Sequence, residues 1–328
     1  MQKYNSILSG ISEEACNGNL PIDPELISLL GLLEKINPCD QNYIFHLDSL
    51  IISYSLELNI LNFINTFPIR LKVRIIGFPI SICEKGYFGS QENIETIIKT
   101  MKGLKIVLNA DSGFKKAGRT LSTFIFFNRF SSFDDYLQNM RSSYRRRMTK
   151  AIKKGEAIQV SALNRRDFCQ KHYDLYLSVM KRTNNPLETL ALEFFTQYDS
   201  ELYEFIDKNS HQLLGFIQVK QMKEELYFLF CGFHKEENEH YDLYYNMLLK
   251  IIKLGIERKV KVIHFGQTSE ESKLKIGCKE VEKYLFIHHS NSFINMILQS
   301  LVIGFSYKPY KVPHHVFKDE KNDSRRQV

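Results

Sequence analysis

The sequence predicts an α+β protein built from two consecutive halves, and three observations lead to this prediction. The chain of 328 residues is longer than one compact core usually needs, so two units of ordinary domain size are expected. Residues 1–130 alternate strand and helix patterns irregularly. The second half follows a clearer order: strand, two helices, three antiparallel strands, helix, strand, helix, strand. We predict domains at 1–130 and 131–310, with a disordered tail at 311–328.

The first half contains helix and strand patterns of moderate regularity. Asp23 is a natural N-cap for a helix that opens on Pro24 and runs to residue 35. A second apolar pattern of helical type covers residues 43–61. A further helix is predicted at 90–101, and buried strands are predicted at 72–79, 105–110 and 121–127.

The second half contains the clearer patterns, bounded by turn residues. Strands are predicted at 157–163, 202–207, 213–220, 225–233, 261–265 and 283–289, with a tight hairpin around 222–224. Helices are predicted at 167–182, 188–198, 241–258, 269–276 and 292–303. The last helix is apolar nearly all round, so we expect it to be buried, with a partner or a membrane surface as the alternative.

One basic amphipathic helix is predicted at 133–155, between the halves. Ser132 is its expected N-cap and Gly155 its expected end. Arg141 and Arg145 flank its apolar stripe, on which Tyr144 lies. Their guanidinium groups match phosphate oxygens, so they are candidate ligands for a phosphate. The alternative is a core helix whose charges are merely solvated, and Tyr144 is then a core residue.

Composition is that of a soluble globular protein, with 44% hydrophobic and 25% charged residues. The net charge of +7 favours anionic partners such as nucleotides, RNA or lipid headgroups. The six cysteines are far apart, without CxxC or metal-ligand spacing, which favours a reduced, cytoplasmic protein without a metal. The sequence has neither a signal-peptide pattern nor an apolar run long enough to span a membrane.

Two stretches resemble the FemAB/CelD-like acyltransferases, which have the fold of GCN5-related N-acetyltransferases (GNAT). The first is MRSSYRRRMTKAIKKG at 140–155, which is similar to the family's Arg- and Tyr-containing helix. The second is FGQTSEESKLKIGC at 265–278, which looks like the family's stretch after the fifth strand. There, Lys273 stands where the family has a lysine on a short helix. The resemblance covers about half the chain and implies two tandem GNAT-like halves, the N-terminal one degenerate.

This resemblance implies a transferase that moves an acyl group from acyl-CoA or aminoacyl-tRNA onto the amine of an anionic, nucleotide-linked or cell-envelope acceptor. The family lysine stabilises the charge on the attacked carbonyl, and that role carries to Lys273. Tyr284 is a candidate general acid, and Gln267 a polar group at a strand end. The alternatives without a catalytic role are an exposed lysine for Lys273, a tyrosine packed in a strand for Tyr284 and a helix-capping glutamine for Gln267. A tRNA partner is implied only if the donor is aminoacyl-tRNA.

One departure from the fold's usual pattern concerns the donor. Members that use acetyl-CoA have a glycine-rich turn after the fourth strand, where backbone N–H groups hold a pyrophosphate. Here residues 234–242 carry four carboxylates, which would repel that group. This observation favours a donor other than CoA. It also favours the alternative function, a non-catalytic degenerate transferase that binds RNA or an anionic glycan.

Overall fold

The computed structural model describes residues 1–14, 22–36, 39–59, 70–111, 113–182, 189–302, 304, 306–308, 310 and 312–319. The chain divides into two compact units, each containing one sheet. The first unit comprises Met1–Leu121 and Glu282–Pro309. The second comprises Ser122–Val281 and Tyr310–Val328.

The first unit opens with a mixed sheet and three helices. In chain order its elements are β1 (Gln2–Tyr4), α1 (Ile7–Glu14), α2 (Pro24–Ile36), β2 (Asp40–His46), β3 (Ser49–Asn59), β4 (Arg70–Ile76), β5 (Tyr87–Phe88), α3 (Gln91–Thr100), β6 (Leu104–Ala110) and β7 (Gly118–Arg119). Strands β1 to β4 pair antiparallel in sequence order, and β6 lies parallel to β4. The predicted cap of α2 is confirmed, because Asp23 Oδ1 accepts the backbone N–H of Glu25 at 2.9 Å.

The helix predicted at 43–61 is wrong, because this stretch forms β2 and β3. Leu47 has φ +53° in the turn between them. The strands are rich in β-branched and aromatic side chains, which favour a pleated surface. Most of these side chains are buried on both faces of the sheet, so the apolar run lacks the alternation that would have identified strands. Residues 60 and 61 lie outside the described part of the chain.

The second unit contains the elements from β8 to β14. They are β8 (Thr123–Phe127), α4 (Phe133–Asn139), α5 (Ser142–Gly155), β9 (Ile158–Leu163), α6 (Gln170–Met180), α7 (Leu192–Gln197), β10 (Glu201–Asp207), β11 (Leu213–Met222), β12 (Glu225–Phe233), α8 (Lys235–Tyr241), α9 (Leu243–Glu257), β13 (Val262–Gly266), α10 (Glu270–Lys275) and β14 (Lys279–Val281). The strand order is β14-β8-β13-β12-β11-β10-β9. The β12–β13 pair is parallel, and the other described pairs of this sheet are antiparallel.

Helix α9 packs closely on this sheet. Leu248 and Ile252 are fully buried on it. At Gly255 an added Cβ would lie 2.4 Å from Ile263 Cδ1 on β13, so glycine lets this side chain pack directly on the helix backbone. The helix is therefore held against β13, directly beside the candidate site.

The remaining elements, β15 (Tyr284–His289) and α11 (Ser292–Leu301), belong to the first unit. Strand β15 pairs antiparallel with β6 and with β7, and it completes the sheet order β1-β2-β3-β4-β6-β15-β7. The predicted boundaries at 130 and 310 therefore differ from the compact units. The strand predicted at 283–289 was assigned to the second half, but it pairs in the first sheet, and β8 lies beside β13.

The single helix predicted at 133–155 is also wrong, because the chain forms α4 and α5 with a break at Met140 and Arg141. Met140 has an extended backbone with ψ 146° and makes a β-bridge with Phe317. The backbone N–H of Arg141 donates to Val316 O at 2.9 Å. A strand-like contact with a distant segment thus replaces the helical hydrogen bonds at this point.

That distant segment corrects a third prediction, the disordered tail at 311–328. Residues 312–319 pack on the second unit, where Val316 and Phe317 are buried. Arg129 forms a two-pronged ion pair with Asp319, at 2.6 and 2.8 Å. The tail carries its own apolar anchors, which the high content of charged residues after Pro313 concealed. Residues 320–328 lie outside the described part.

Helix α11 differs from the expected buried helix at 292–303, since none of its described side chains is buried. Among the described helices, none is both long and apolar enough to cross a membrane. No disulfide joins the described cysteines Cys39, Cys83, Cys169, Cys231 and Cys278.

Candidate functional site

The second sheet contains a gap between its two parallel strands. The β12–β13 ladder joins Glu225–Tyr227 to Val262–His264, whereas β12 continues to Phe233 alongside β11. Residues 228–231 of β12 are only partly buried. Beyond Tyr227 the described residues form no further ladder between the two strands. One edge of β12 therefore presents backbone N–H and C=O groups that a ligand could pair with.

A strained turn follows β13 at the mouth of this gap. Gly266, Thr268 and Ser269 have φ angles of +70°, +62° and +48°. Glycine adopts this region freely, but a β-branched threonine there is a true outlier. Such strain costs on the order of 1–3 kcal/mol and persists where surrounding contacts impose it, often at a functional site. The turn delivers the chain into α10.

Lys273, on α10, is the predicted catalytic lysine, and it is almost fully buried at 2% exposure. Its Nζ donates to the backbone carbonyl of Gln267 in the strained turn. It also lies 5.8 Å from the centroid of the Phe124 ring. Its charge acts on the thiol of Cys231, which belongs to the open part of β12. The lysine is therefore a buried cation beside the gap.

Two thiols and one phenol near Lys273 have pKa values that burial raises. Burial raises the pKa of the Cys231 thiol to about 12, and the charges of Lys273 and Arg182 offset only part of that effect. Burial also raises the pKa of Cys278 and that of Tyr244, whose side chain hydrogen-bonds Ser269. A thiol with a raised pKa is a poor nucleophile. The surroundings instead strengthen the field of the lysine, because charges act over longer range in a poorly polarisable environment.

The sequence prediction names Lys273 but none of these neighbours. Cys231, Tyr244 and Cys278 lie on β12, on α9 and just before β14, and only the fold brings them together. In the sequence these residues are marked only by their apolar neighbours. Such neighbours predict that a residue is packed in the core and do not indicate a functional role. Gln267 stands where it was predicted, but its identified contribution is a backbone carbonyl, which any residue could supply.

The arginines predicted for phosphate binding lie at the start of α5 and are partly buried. The Arg141 Nε donates to Phe317 O at 3.2 Å, so this side chain also holds the tail. Arg145 has no ion-pair partner within the described residues, which leaves its guanidinium available. Its neighbour Arg147 contacts Asp242 at 3.9 Å and lies over the Tyr245 ring at 4.8 Å. Arg146, Lys150 and Lys153, which were predicted to be merely solvated, are exposed, and so is Arg147.

Tyr144 belongs to an aromatic cluster with the tail. Its hydroxyl and His314 Nδ1 are 3.0 Å apart, and the His314 ring stacks on Tyr310. Burial and the Lys275 charge lower the pKa of His314. Tyr144 also packs on the hydrophobic core of the unit. This contact agrees with the alternative interpretation of Tyr144 as a core residue.

Tyr284 lies on β15 in the first unit, whereas Lys273 belongs to the second. Its hydroxyl donates to Glu282 at 2.7 Å, and this hydrogen bond is the main cause of its raised pKa. The hydroxyl therefore has a local acceptor, and its role as a general acid stays a prediction.

The acidic stretch after β12 forms α8. Glu236 and Glu237 occupy its first turn, where carboxylates are stabilised by the exposed N–H groups. Asp242, between α8 and α9, pairs with Lys154 at 3.5 Å as well as with Arg147. Carboxylates thus surround the helix ends that would hold a pyrophosphate in a CoA site. Within the described residues, no group of three or more His, Cys, Asp or Glu side chains could hold a metal ion.

No family model and no curated protein matches this sequence. Solved structures do resemble it. One is the C-terminal domain of an Agrobacterium fabrum protein described as a lysylphosphatidylglycerol synthetase, with TM-score 0.53, 9% identity and coverage of 93% of this chain and 100% of that one. Another is L-PGS from Bacillus licheniformis, with TM-score 0.51, 12% identity and coverage of 88% and 99%. FemX aligns over 91% and 100% at 10% identity, with TM-score 0.49. The chain has a GNAT-like fold in two tandem units, as the sequence predicts.

Proposed function

We propose that this protein is an N-acyltransferase that moves an acyl or aminoacyl group onto the amine of an anionic acceptor. The observation that carries the proposal is the position of Lys273, a buried cation beside the gap between β12 and β13. The fold supports the reaction class, because FemX and the lysylphosphatidylglycerol synthetase share it at low identity. The cytoplasmic location remains a proposal.

The gap suits a carbonyl under attack. A neutral amine that adds to the donor carbonyl produces a tetrahedral intermediate whose oxygen is negatively charged. Backbone N–H groups on the edge of β12 beyond the β12–β13 ladder and the Lys273 ammonium are donors of the kind that stabilise such an oxygen. The addition forms the C–N bond, and collapse of the intermediate restores the C=O bond and breaks the bond to the leaving group, a thiol for CoA or a ribose hydroxyl for tRNA. The proton lost by the amine ends on the leaving group or in solvent.

The two donor classes make different demands on the start of α8. The CoA pyrophosphate would meet Glu236 and Glu237 there, and the like charges repel. An aminoacyl-tRNA instead needs basic groups for its phosphates, and α5 supplies Arg141 and Arg145 at its start. We therefore propose aminoacyl-tRNA as the preferred donor, with Arg141 and Arg145 as phosphate ligands.

Transfer assays with labelled donors test this proposal directly. We expect label from aminoacyl-tRNA to reach amines on phosphorylated acceptors, with little transfer from acetyl-CoA. Replacement by Lys273→Met should lower kcat by about 10²–10³, the effect of losing one oxyanion donor. Lys275→Met is the matched control on the same helix, since Lys275 pairs with Glu271 at the surface. Full activity in a folded Lys273→Met protein would contradict the catalytic role.

A second function is supported by a specific observation. The Lys273 ammonium donates to the Gln267 carbonyl, a bond that a purely structural lysine would also make to close the strained turn. The chain would then be a degenerate transferase that binds RNA or an anionic glycan. Filter binding at two salt concentrations separates the alternatives: RNA binding with a steep salt dependence, and no transfer from any donor, supports this one.

A further inference from the structure

Helix α11 exposes a set of large apolar side chains in the first unit. Their exposed fractions are 67% for Phe293, 56% for Met296, 49% for Leu301, 42% for Ile297 and 41% for Ile294. Scattered exposed apolar residues are normal on a protein surface, but a contiguous group usually marks an interaction site. These five share one short helix, and such a contiguous group is typical of an interaction site.

Helix α11 presents its apolar side outward, whereas an ordinary surface helix presents its polar side. At roughly 100° per residue, the five exposed side chains occupy one face. The opposite face carries Asn295, Leu298 and Gln299, which are partly buried, and Val302 after it is buried. Asn295 Oδ1 accepts the backbone N–H of His289 at 2.9 Å and fixes this rotation. The apolar face is therefore held outward by the contacts of the polar face.

The sequence that contains α11 has basic but no acidic residues. Residues 283–318 contain no Asp or Glu, although the chain has 37 acidic residues. The exposed Lys308 follows the helix. At the other end, Ser290 exchanges hydrogen bonds with Gly103, which brings the exposed Lys102 to the start of α11. An apolar face with lysines at both ends is complementary to an anionic lipid surface.

We propose that α11 docks this protein on membranes that contain anionic phospholipid. The apolar face would enter the boundary between headgroups and acyl chains, and the flanking lysines would contact phosphate groups. The helix lies on the membrane in this arrangement and does not cross it. The proposal goes beyond the proposed transfer reaction and holds whether or not the protein is an enzyme.

A second copy of the chain fits this face less well. Five partly exposed side chains at roughly 100 Å² each offer about 500 Å², below the roughly 800 Å² per partner of a stable interface. In a symmetric dimer the same patch meets itself, so Lys102 and Lys308 would approach their own copies. Like charges would then oppose the contact that the apolar residues favour.

Vesicle flotation tests the proposal with the full-length chain. We expect binding to vesicles of phosphatidylglycerol and phosphatidylcholine, weaker binding at high salt, and little binding to phosphatidylcholine alone. The triple variant Phe293→Ser, Met296→Ser, Ile297→Ser should weaken binding at least tenfold. The matched control replaces Leu8, Leu47 and Leu71 by serine, since these leucines are exposed elsewhere in the unit. Equal binding by both triple variants would overturn the proposal.

The chain contains no tryptophan, so one introduced residue becomes a site-specific reporter. The emission of Ile297→Trp should shift to the blue on anionic vesicles and be quenched by brominated lipid, whereas that of Leu47→Trp should not change. An unshifted Ile297→Trp signal would overturn the proposal. So would a dimer in light scattering that the α11 triple variant abolishes, combined with no vesicle binding, because a second copy would then cover the face.

Discussion

Lys105 is a fully buried lysine on β6, and its replacement by methionine should make the protein more stable at pH 7. Its exposure is 0%, and its Nζ donates to Met101 O at the end of α3 at 2.6 Å. Its strand neighbours are Arg74 on β4 and His288 on β15, so both lateral neighbours are cationic or can become so. Among the described residues, neither neighbouring strand places a carboxylate beside Lys105. The charged form of Lys105 is therefore buried without a counter-ion from either strand.

The magnitude follows from the pKa. Burial lowers the pKa of Lys105 to about 8, from roughly 10.4 in an unfolded chain. At about 1.36 kcal/mol per pKa unit, the charged form costs the folded state about 3 kcal/mol at pH 7. Lys105→Met removes this cost but leaves Met101 O without its donor, a loss of roughly 1–2 kcal/mol. We expect a net gain in the free energy of unfolding of about 1–2 kcal/mol.

The sign of the pH dependence provides a sharper test. Between pH 8 and pH 10.4 the folded lysine has released its proton while the unfolded lysine retains it. The unfolded state therefore binds more protons, so the free energy of unfolding of the natural chain rises with pH. From pH 7 to pH 9.5 this single group should contribute about 2 kcal/mol, which Lys105→Met lacks.

Urea unfolding at both pH values measures this difference. The stability advantage of Lys105→Met over the natural chain should shrink by about 2 kcal/mol between pH 7 and pH 9.5. Lys102→Met is the control, because Lys102 is exposed and its replacement should leave the pH dependence unchanged. An advantage of Lys105→Met that is the same at both pH values would refute the reasoning.

Two further variants test the tail and the basic helix. Phe317→Ala should lower the free energy of unfolding by about 3–5 kcal/mol, since this buried ring contacts Phe130 at 5.1 Å; a loss below about 1 kcal/mol in urea unfolding would contradict a packed tail. Arg145→Met should weaken tRNA binding in a filter assay at least tenfold, whereas Lys150→Met should weaken it less than twofold. Equal effects of these two substitutions would mean that α5 acts only through its total charge.

Local patterns predicted those elements whose causes lie within a few residues. The cap of α2 depends on Asp23, its adjacent residue, and the hairpin between β11 and β12 depends on a turn in which Lys223 has φ +53°. The break between α4 and α5 has a distant cause, because Phe317 supplies the bridge to Met140. No periodicity within 133–155 could reveal it, since the helical pattern continues across the break.

The candidate site also has parts with local causes, which the sequence predicts, and parts with distant causes, which it does not. Lys273 was predicted from a resemblance in its own segment, and the structure places it beside the gap in the second sheet. The gap itself depends on where the β12–β13 ladder ends, a property of two strands separated by α8 and α9. Burial of α11 was expected from its apolar content, but apolar content does not specify which side a helix presents. That choice depends on Asn295, whose contact with His289 holds the apolar face outward.

The net charge of +7 supports a particular partner only when the individual charges are assigned to positions in the structure. On α5, Arg147 and Lys154 are matched by Asp242, so these two charges stabilise the junction of α8 and α9. Arg145 keeps an available guanidinium on the same helix. The acid-free stretch at 283–318 is a separate basic region beside an apolar face. Binding to nucleic acid and binding to lipid therefore depend on different residues. Nucleic-acid binding requires Arg145, and lipid binding requires Phe293 and its neighbours on α11. A variant that weakens both kinds of binding equally would show that total charge alone attracts anions to this protein.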